Sequence, residues 1–424
     1  MSLSNTHKTV IVDPRSHNNS RTEFKLDDAF YSSAVKLIDV GIYDTLRPTD
    51  AGIYYPTING VMQCIRNIYL YSGTTLIDSL RDVPQFSSIE ALKTTNQGSE
   101  DLNRDLLLSG LGLRSQTGDG ALTLQPEWAA YQNTIDGNEA KNLQVPIATA
   151  ADGQQSGSVM LSDYLQFLKS ATILPMIPDL RLVIEWDTTG TDYFLDPDNA
   201  GGMSVITPQV IRPSLVLEEI LGQDPNSARA YTMPYLSTVT ERFSVAATST
   251  PDNVSVPKSS SFKSQAFTQK FLKDITFFNY FPNNNLAAED RWLTSKTRSP
   301  AQKQERLQLM VNNLAHLPDR GVDSEALKYH FFNETHTQLN LPLAAGLQVI
   351  RDASGRILDE EADALQGQFS VTAVKVGKIV DELRIEHERL YGDASWSRDA
   401  FTLLAYGTVA KQLEVKDRQV RVSY

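Results

Sequence analysis

The sequence predicts an all-β protein built from two β-sandwiches in tandem. Short runs of alternating apolar and polar residues recur along the chain, and residues 180–186 (LRLVIEW) are the clearest example. The 19 prolines and 23 glycines, together with 16 tyrosines and 16 phenylalanines, are typical of β-structure with many turns. The order of the runs repeats loosely after about 200 residues, a spacing that suits two domains. The pattern therefore favours a sandwich or barrel in each half over βαβ units.

Strands of the first half are expected in five segments, which are residues 21–26, 33–43, 64–72, 180–186 and 204–220. Residues 161–174, just before the fourth strand, have the pattern of an amphipathic helix with Ser162 as its N-cap. The helix must end before Pro175, because the residue before a proline disfavours the α conformation. Its apolar face would be formed by Leu161, Tyr164, Leu165 and Leu168.

Strands of the second half are expected in residues 241–248, 266–281, 305–318, 369–376 and 403–424. The third of these has a mixed signal. Ser299 and Pro300 are a good N-cap and first helical residue, yet Leu307, Leu309 and Val311 alternate as in a strand. We therefore expect a short helical turn up to about residue 305, followed by a strand.

Two segments lack a strand pattern. Residues 85–158 are rich in Gly, Ser, Thr, Asn and Asp, and loops of this length are commonly functional or in contact with something. Residues 1–20 are polar, with Lys8 and Arg15 against the single acid Asp13. They are expected to form an N-terminal arm that is ordered only by a partner, or else a plain flexible terminus.

Charge and composition exclude several classes of protein. The net charge of −12 disfavours specific nucleic-acid binding by the folded body. The single cysteine, Cys64, rules out an internal disulfide framework and is expected to be a buried core residue. The chain shows neither a membrane-spanning apolar run nor a secretory signal. It is therefore expected to be made inside a cell and not secreted.

The histidines do not suggest a metal site. His316, His330 and His336 are close in sequence, with Glu334 between the last two, but the spacing fits no known set of metal ligands. His387 lies in the charged stretch ELRIEHERL and is expected on a solvated face.

Acidic residues were weighed as catalytic or calcium sites. Glu185 beside Trp186 could imitate a sugar-binding cleft, but Glu185 lies on the opposite face of its strand, where Arg181 is a same-face neighbour. The loop after Trp186 carries four aspartates without EF-hand spacing, which are Asp187, Asp192, Asp196 and Asp198. Because nucleotide-binding, zinc and serine-nucleophile motifs are also missing, the sequence assigns no catalytic, cofactor-binding or metal-binding residue.

Several runs carry a family resemblance. IRNIYLYSG (65–73), long loops and LSDYLQFLKSATILPMIPDLRLVIEW (161–186) follow one another in the first half. RLQLMVNNLAHLPDRG (306–321) and then YHFFNETHTQLNLP (329–342) occupy the second half as a matching strand and loop, and LLAYGTVAKQLEVKDRQVRVSY (403–424) closes the chain. This order resembles the double jelly-roll major capsid proteins of tailless icosahedral DNA viruses. The similarity extends from about residue 20 to residue 424.

The resemblance implies two tandem eight-stranded jelly-roll β-sandwiches with short helices and long loops. It divides the chain into an arm (1–20), a first jelly roll (21–225) and a second (226–424). It also implies a non-enzymatic structural protein of the virion, whose homotrimers tile an icosahedral shell with neighbouring trimers and minor capsid or penton proteins. The arm would contact these proteins, an internal membrane or the packaged genome. The alternatives are a carbohydrate-binding or carbohydrate-cleaving β-sandwich protein and a minor capsid or spike component.

Overall fold

The structure is a computed structural model of the chain. It describes residues 7–45, 60–93, 155–171, 173–188, 207–223, 229–246, 258–280, 294–295, 305–323, 325–336, 368–369, 371–389 and 400–424.

Antiparallel strands dominate the described residues. Those of the first half are β1 (His7–Val12), β2 (Ser16–His17), β3 (Arg21–Lys25), β4 (Tyr31–Ser32), β5 (Lys36–Asp44), β6 (Ile65–Ser72), β7 (Thr75–Arg81), β8 (Gln155–Met160), β9 (Ile173–Leu174), β10 (Leu180–Trp186), β11 (Pro208–Val210) and β12 (Ser214–Ile220). Those of the second half are β13 (Ala230–Val245), β14 (Lys258–Lys263), β15 (Lys270–Tyr280), β16 (Thr294–Ser295), β17 (Glu305–Val311), β18 (Leu314–Ala315), β19 (Gln368–Phe369), β20 (Val371–Val380), β21 (Leu383–Arg389), β22 (Phe401–Lys416) and β23 (Gln419–Ser423). The helices are α1 (Val83–Lys93), α2 (Gln166–Ser170) and α3 (Glu325–Thr335), with 3-10 turns at Gly60–Cys64 and Leu161–Asp163.

The two halves pair their strands in the same order. In the first half, one sheet contains the series β1-β12-β5-β8 and the other the series β3-β10-β6-β7. In the second half the corresponding series are β13-β22-β15-β20 and β14-β21-β17-β18. Each pair of four-stranded series, joined in this order, is a jelly roll. The predicted pair of tandem eight-stranded jelly rolls is therefore confirmed.

Alternation along the strands builds the cores, as expected. In β10, Leu180, Leu182, Ile184 and Trp186 are buried, and Leu182 and Ile184 lie opposite Leu70 and Ile68 of β6. In β17, the residues Leu307, Leu309 and Val311 are buried in the second core. The strand predicted from their alternation is confirmed, while the helical turn expected before residue 305 lies outside the described residues.

One helix prediction and one loop prediction need correction. The helix expected over residues 161–174 is broken into the 3-10 turn Leu161–Asp163 and the short α2, and Ser162 does not cap either piece. The four residues of its expected apolar face are nevertheless all buried. The loop expected over residues 329–342 is helical in its first part, because α3 extends to Thr335 and packs against β20.

The expected N-terminal arm also differs from the structure. Residues 7–12 form β1, which pairs with β12 in register from His7 opposite Ile220 to Val12 opposite Leu215. Ser16 and His17 pair with β3. The prediction of an arm that is disordered alone is therefore wrong for residues 7–17. Val12 packs against the first core, which explains why this polar segment is held in place.

Gly407 tests the packing of the second core. A Cβ atom at this position would lie 2.3 Å from Cε1 of the buried Phe267 and 2.9 Å from Cδ1 of Leu272. Overpacking of this kind costs roughly 1–3 kcal/mol. We expect Gly407→Ala to lower the free energy of unfolding by this amount in urea titrations. Thr232→Ala, an exposed change on the paired strand β13, should change it by much less, and equal effects would contradict this account of the core.

Candidate assembly surfaces

One edge of the first sandwich lies against one edge of the second. Strand β7, the outer strand of its series, runs beside β13 in the same chain direction. The Tyr235 hydroxyl donates to the Ile77 carbonyl at 2.7 Å, and the Ser237 hydroxyl donates to Asp78 Oδ1 at 2.7 Å. Further along, Arg242 Nε donates to Asp82 Oδ2 at 2.8 Å. Side-chain hydrogen bonds therefore fix how one sandwich stands against the other.

Asp78 is the most buried charged group of this junction. Its second carboxylate oxygen accepts a hydrogen bond at 2.9 Å from the backbone N–H of Phe167, at the start of α2. Burial raises the pKa of Asp78, and its hydrogen bonds to Ser237 and Phe167 oppose that rise. Lys411 lies in the same region, and burial lowers its pKa while the nearby Asp78 raises it. The junction thus holds an acid and a base away from water.

Aromatic rings flank these polar contacts. The Phe167 ring stands edge-on to Tyr235, with 4.9 Å between the ring centroids, and Phe86 of α1 meets Tyr406 in the same way at 5.3 Å. The Tyr406 hydroxyl donates to the Asp82 carbonyl at 2.9 Å. Such pairs exclude water and strengthen the hydrogen bonds between them.

The C-terminal strand also bridges the two halves. β23 pairs with β22, and Val420 and Val422 pack against the core that the two halves share. The Thr75 hydroxyl of β7 donates to the Val420 carbonyl at 3.4 Å. Lys270 and Lys411 stand over the Tyr424 ring, with their Nζ atoms 4.1 and 5.1 Å from its centroid. The chain end therefore reinforces the junction.

A cleft of about 330 Å³ opens beside the Asp82–Arg242 pair. Both acids and bases line it, so its charges balance. Its lining residues are Gln63, Arg66, Asp82, Pro84, Gln85, Asp187, Arg242, Tyr280, Thr402 and Leu404.

Glu185 and Trp186, which were weighed as a sugar site, are not arranged to bind a sugar. Trp186 is buried, and its indole N–H donates to the Thr22 hydroxyl at 2.7 Å. Glu185 points to the other face and accepts from Asn67 Nδ2 at 2.7 Å and from the Tyr69 hydroxyl at 3.3 Å. Arg181 shares the face of Glu185, as expected, but forms its ion pair with Glu23 at 3.4 Å. Glu185 and Trp186 are therefore structural residues of the sheet.

The clustered histidines separate in the structure. His316 Nε2 lies 2.7 Å from the Lys375 carbonyl, and His336 Nε2 lies 3.3 Å from the Thr276 hydroxyl. His330 instead meets Glu334 one helical turn away, at 3.2 Å. Within the described ranges, no three His, Cys, Asp or Glu side chains gather where they could hold a metal ion. Of the expected acidic loop, only Asp187 is among the described residues.

His387 corrects one prediction and Cys64 confirms another. His387 is buried and stands edge-on to Phe401, with 5.3 Å between the ring centroids. It belongs to the inward series of β21, together with Leu383 and Ile385, so the expected solvated face was wrong. The charged neighbours of His387 occupy the outward series. Cys64 is fully buried, as expected.

The counterparts of the joined edges are exposed. The repeat makes β18 equivalent to β7, and β1 equivalent to β13. Leu314 of β18 is 68% exposed and Ile11 of β1 is 65% exposed, more than any other large apolar residue in the described part of the chain. Ile11 begins a cross-strand row through Val216 and Lys36. In the second half, Leu236 of β13 lies opposite Ala410 of β22, and its backbone N–H donates to the Ser170 hydroxyl of the first half at 3.2 Å.

The residues of the junction were missed by sequence reasoning. Asp78 and Asp82 lie in TLIDSLRD, and no local pattern shows that they face residues about 160 positions away. The available signal was an acid inside an otherwise apolar strand, which needs a partner when it is buried. The position of Ile11 on an exposed strand edge was not predicted, because residues 7–12 were expected to belong to an arm.

Solved structures share this architecture at low sequence identity. A structure of the PBCV-1 virus capsid matches with a TM-score of 0.57 and 11% identity, over 99% of this chain and 96% of that chain. The Sputnik virophage structure matches with a TM-score of 0.55 and 11% identity, over 98% and 88% of the two chains. The chain has the double jelly-roll fold. The mavirus major capsid protein shares it, with a TM-score of 0.54 and 9% identity over 98% of this chain and 90% of that chain.

No protein-family model and no curated protein matches the sequence. The expected resemblance to double jelly-roll capsid proteins is confirmed in fold. Among the described residues, no helix is both long and apolar enough to cross a membrane.

Ser237 tests the polar contact across the junction. A hydrogen bond to a charged group contributes roughly 1.5–3 kcal/mol, and its loss leaves the buried Asp78 carboxylate one donor short. We expect Ser237→Ala to lower the free energy of unfolding by about 2 kcal/mol in urea titrations. Ser244→Ala, an exposed change on the same strand, is the control, and a similar loss in both variants would contradict the assignment.

Asp78 also predicts a pH dependence. Because burial raises its pKa, the folded chain binds this proton more tightly than the unfolded chain. The resulting stabilisation is present at low pH and is lost as pH rises from the ordinary carboxyl range through the raised pKa. Asp78→Asn cannot bind the proton, so the amount by which the wild-type free energy of unfolding exceeds the variant's should shrink across that window. Urea titrations at a series of pH values measure it, and a constant difference would be inconsistent with a raised pKa.

Proposed function

We propose that this chain is a structural major capsid protein whose trimers tile the shell of an icosahedral virus. One observation carries the proposal: the described residues form an edge-to-edge junction inside the chain, and among them the two equivalent edges are exposed. The solved structures that share the fold include a virus capsid and a major capsid protein, and this likeness supports the same function. The proposed role is structural: it depends on contacts between copies of the chain and involves no catalysed reaction.

The repeat suggests how copies associate. The β7 edge of the first sandwich meets the β13 edge of the second, so the free β18 edge of one copy is suited to the free β1 edge of the next. A contact between two different surfaces generates a ring if its rotation closes. Three copies would place six sandwiches around the ring and give a six-sided outline.

Further features are proposed on this basis. The domain boundary is placed at residues 225 and 226, between β12 and β13. The protein would reside in the virion after synthesis in the host cell, with minor capsid or penton proteins as neighbours. A minor capsid or spike protein is the second candidate within the same fold. The carbohydrate-binding alternative is disfavoured because Trp186 is buried against Thr22.

Light scattering and electron microscopy of the purified full-length chain test the function. We expect a trimer with a six-sided outline and, at high protein concentration, ordered arrays of such trimers. A chain that remains monomeric at high concentration would overturn the proposal. Pentamers or isolated spikes would instead support the minor capsid alternative.

Single substitutions test the contact surfaces. Placing a charge at Leu314 or Ile11 would bury it in the proposed contact, so Leu314→Asp and Ile11→Asp should each weaken self-association by at least about 2 kcal/mol, roughly thirtyfold. Sedimentation velocity over a concentration series measures this change. Ser244→Asp, an exposed position on β13, is the control. Trimers of unchanged affinity in both edge variants would show that other surfaces are used.

A mixing experiment tests the head-to-tail arrangement directly. Chains carrying Ile11→Cys are mixed with chains carrying Leu314→Cys and treated with a bifunctional thiol reagent. Native Cys64 is fully buried and is not expected to react. Covalent dimers should form in the mixture and not with either variant alone, whereas dimers in a single-variant sample would indicate a symmetric contact.

A further inference from the structure

Two strands meet end to end along one edge of β22, while β13 lines the other edge throughout. On the shared edge, β15 pairs with β22 as far as Val409, and β23 takes over from Gln412. Residues 410 and 411 of β22 therefore lie beside the gap between the two strands. Lys270 is the first residue of β15, and Tyr424 directly follows the last residue of β23, so both stand at this gap.

Lys411 is buried at the gap with few contacts for its charge. It is only 7% exposed, and its ammonium group carries three N–H donors. The Nζ atom stands 5.1 Å from the centroid of the Tyr424 ring, and apart from that ring no described residue offers it a hydrogen-bond acceptor or an ion-pair partner. An aromatic face attracts a cation but does not replace hydrogen bonds to its N–H groups. A buried cation in this position therefore indicates a bound anion or water.

Lys270 adds a second positive charge at the same gap. Its Nζ atom lies 4.1 Å from the Tyr424 ring centroid and donates to the Ala266 carbonyl at 2.5 Å. Burial lowers the pKa of both lysines, and the opposing effects of Asp78 and Glu241 are smaller. Neither of these two carboxylates forms an ion pair with the lysines. Two cations thus share a small region in which the described residues supply too little negative charge.

We propose that this gap binds a small phosphate ion, held by Lys411 and Lys270 beneath the Tyr424 ring. Lysine binds phosphate as a point charge, and two lysines match the charge of a phosphate group, which is about −1.5 to −2 near neutral pH. The phosphate oxygens would accept from the N–H groups of Lys411, and this would offset the cost of burying its charge. Lys270 would supply the second charge.

The position of the site connects it to the inner junction. Lys411 lies opposite Tyr235 of β13, whose hydroxyl donates to the Ile77 carbonyl of the first half. Tyr424 is 62% exposed, so rotation of this one side chain would open the site to solvent. A bound ion would hold β15, β22 and the end of β23 together, and it would stabilise the folded chain according to its concentration and affinity.

An acidic side chain of a neighbouring protein chain is the alternative occupant. It would bring its own backbone close to the gap, and the Tyr424 ring with the ends of β15 and β23 borders that approach. A free ion has no backbone and can reach an ammonium group that is almost fully buried. The burial of Lys411 therefore favours a free phosphate ion.

Isothermal titration calorimetry of the full-length protein with sodium phosphate, against sodium chloride of equal ionic strength, tests the inference. We expect one saturable phosphate site per chain. Lys411→Met should weaken phosphate binding at least about tenfold, because it removes a charged hydrogen-bond donor, and Lys270→Gln should weaken it severalfold. Lys273→Gln, which removes an exposed charge from the same strand as Lys270, is the control and should bind phosphate normally.

Urea titrations show whether the variants fold and give a second readout. In phosphate-free buffer, Lys411→Met should have a higher urea midpoint than the wild type, because it removes a buried charge that lacks a partner. In phosphate the difference should shrink, since only the wild type gains stability from the bound ion. General effects of phosphate on protein stability act on both chains and leave the difference unchanged.

Four outcomes would overturn the inference. The first two are a wild-type chain without saturable phosphate binding and a Lys411→Met chain of unchanged affinity. Equal binding of phenyl phosphate, which is too large for an enclosed site, would show that an open charged surface is responsible. Phosphate binding that disappears on self-association would show that a neighbouring chain fills the gap. The capsid proposal does not depend on any of these results, because the site lies within one chain.

Discussion

The outer strand of an open β-sheet has backbone groups without partners, and the need to cover such edges organises this protein. Inside the chain, the β7 and β13 edges cover each other through hydrogen bonds from Tyr235, Ser237 and Arg242. The second sandwich repeats the strand order of the first, so the need recurs at β18 and β1. Such edges are either left to solvent and protected by their own side chains or covered by another surface. The proposed assembly would cover both of them by contact between copies.

The hydrogen bonds of the inner junction suit a protein in which the angle between the two sandwiches must be fixed. Apolar burial is nondirectional, whereas hydrogen bonds depend on orientation as well as distance. Asp78 accepts from Ser237 of the second half and from the Phe167 N–H of the first, so one carboxylate joins α2 to β13. Its burial opposes ionisation and therefore raises its pKa. A buried acid at the junction therefore lowers the stability of the fold somewhat, while its hydrogen bonds fix the orientation of one sandwich relative to the other.

Local alternation predicted the strands well because each inward or outward position is set within the strand itself. It predicted β10 and β17, and it gave the fold class through the repeat. It failed where distant pairing decides the outcome. Residues 7–12 form a strand because β12, some 200 residues later, offers them an edge. The helix expected at 161–174 is broken where the Phe167 N–H, at the start of α2, binds Asp78. His387 was wrongly predicted to be solvated, because the charged residues on either side of it hid the alternating buried positions of β21.

The inner junction combines a shared apolar core with buried hydrogen bonds, whereas the exposed edges present single large apolar residues. The two sandwiches of one chain are tethered, so their contact has a high effective concentration and loses little translational freedom. Polar bonds of modest net strength there add orientation to the apolar core that the two halves share. Separate copies must overcome the full entropic cost of association, which in most protein complexes is met chiefly by apolar burial. In the proposed assembly, Ile11 and Leu314, exposed on the two unmatched edges, would supply this apolar surface where no covalent link joins the copies.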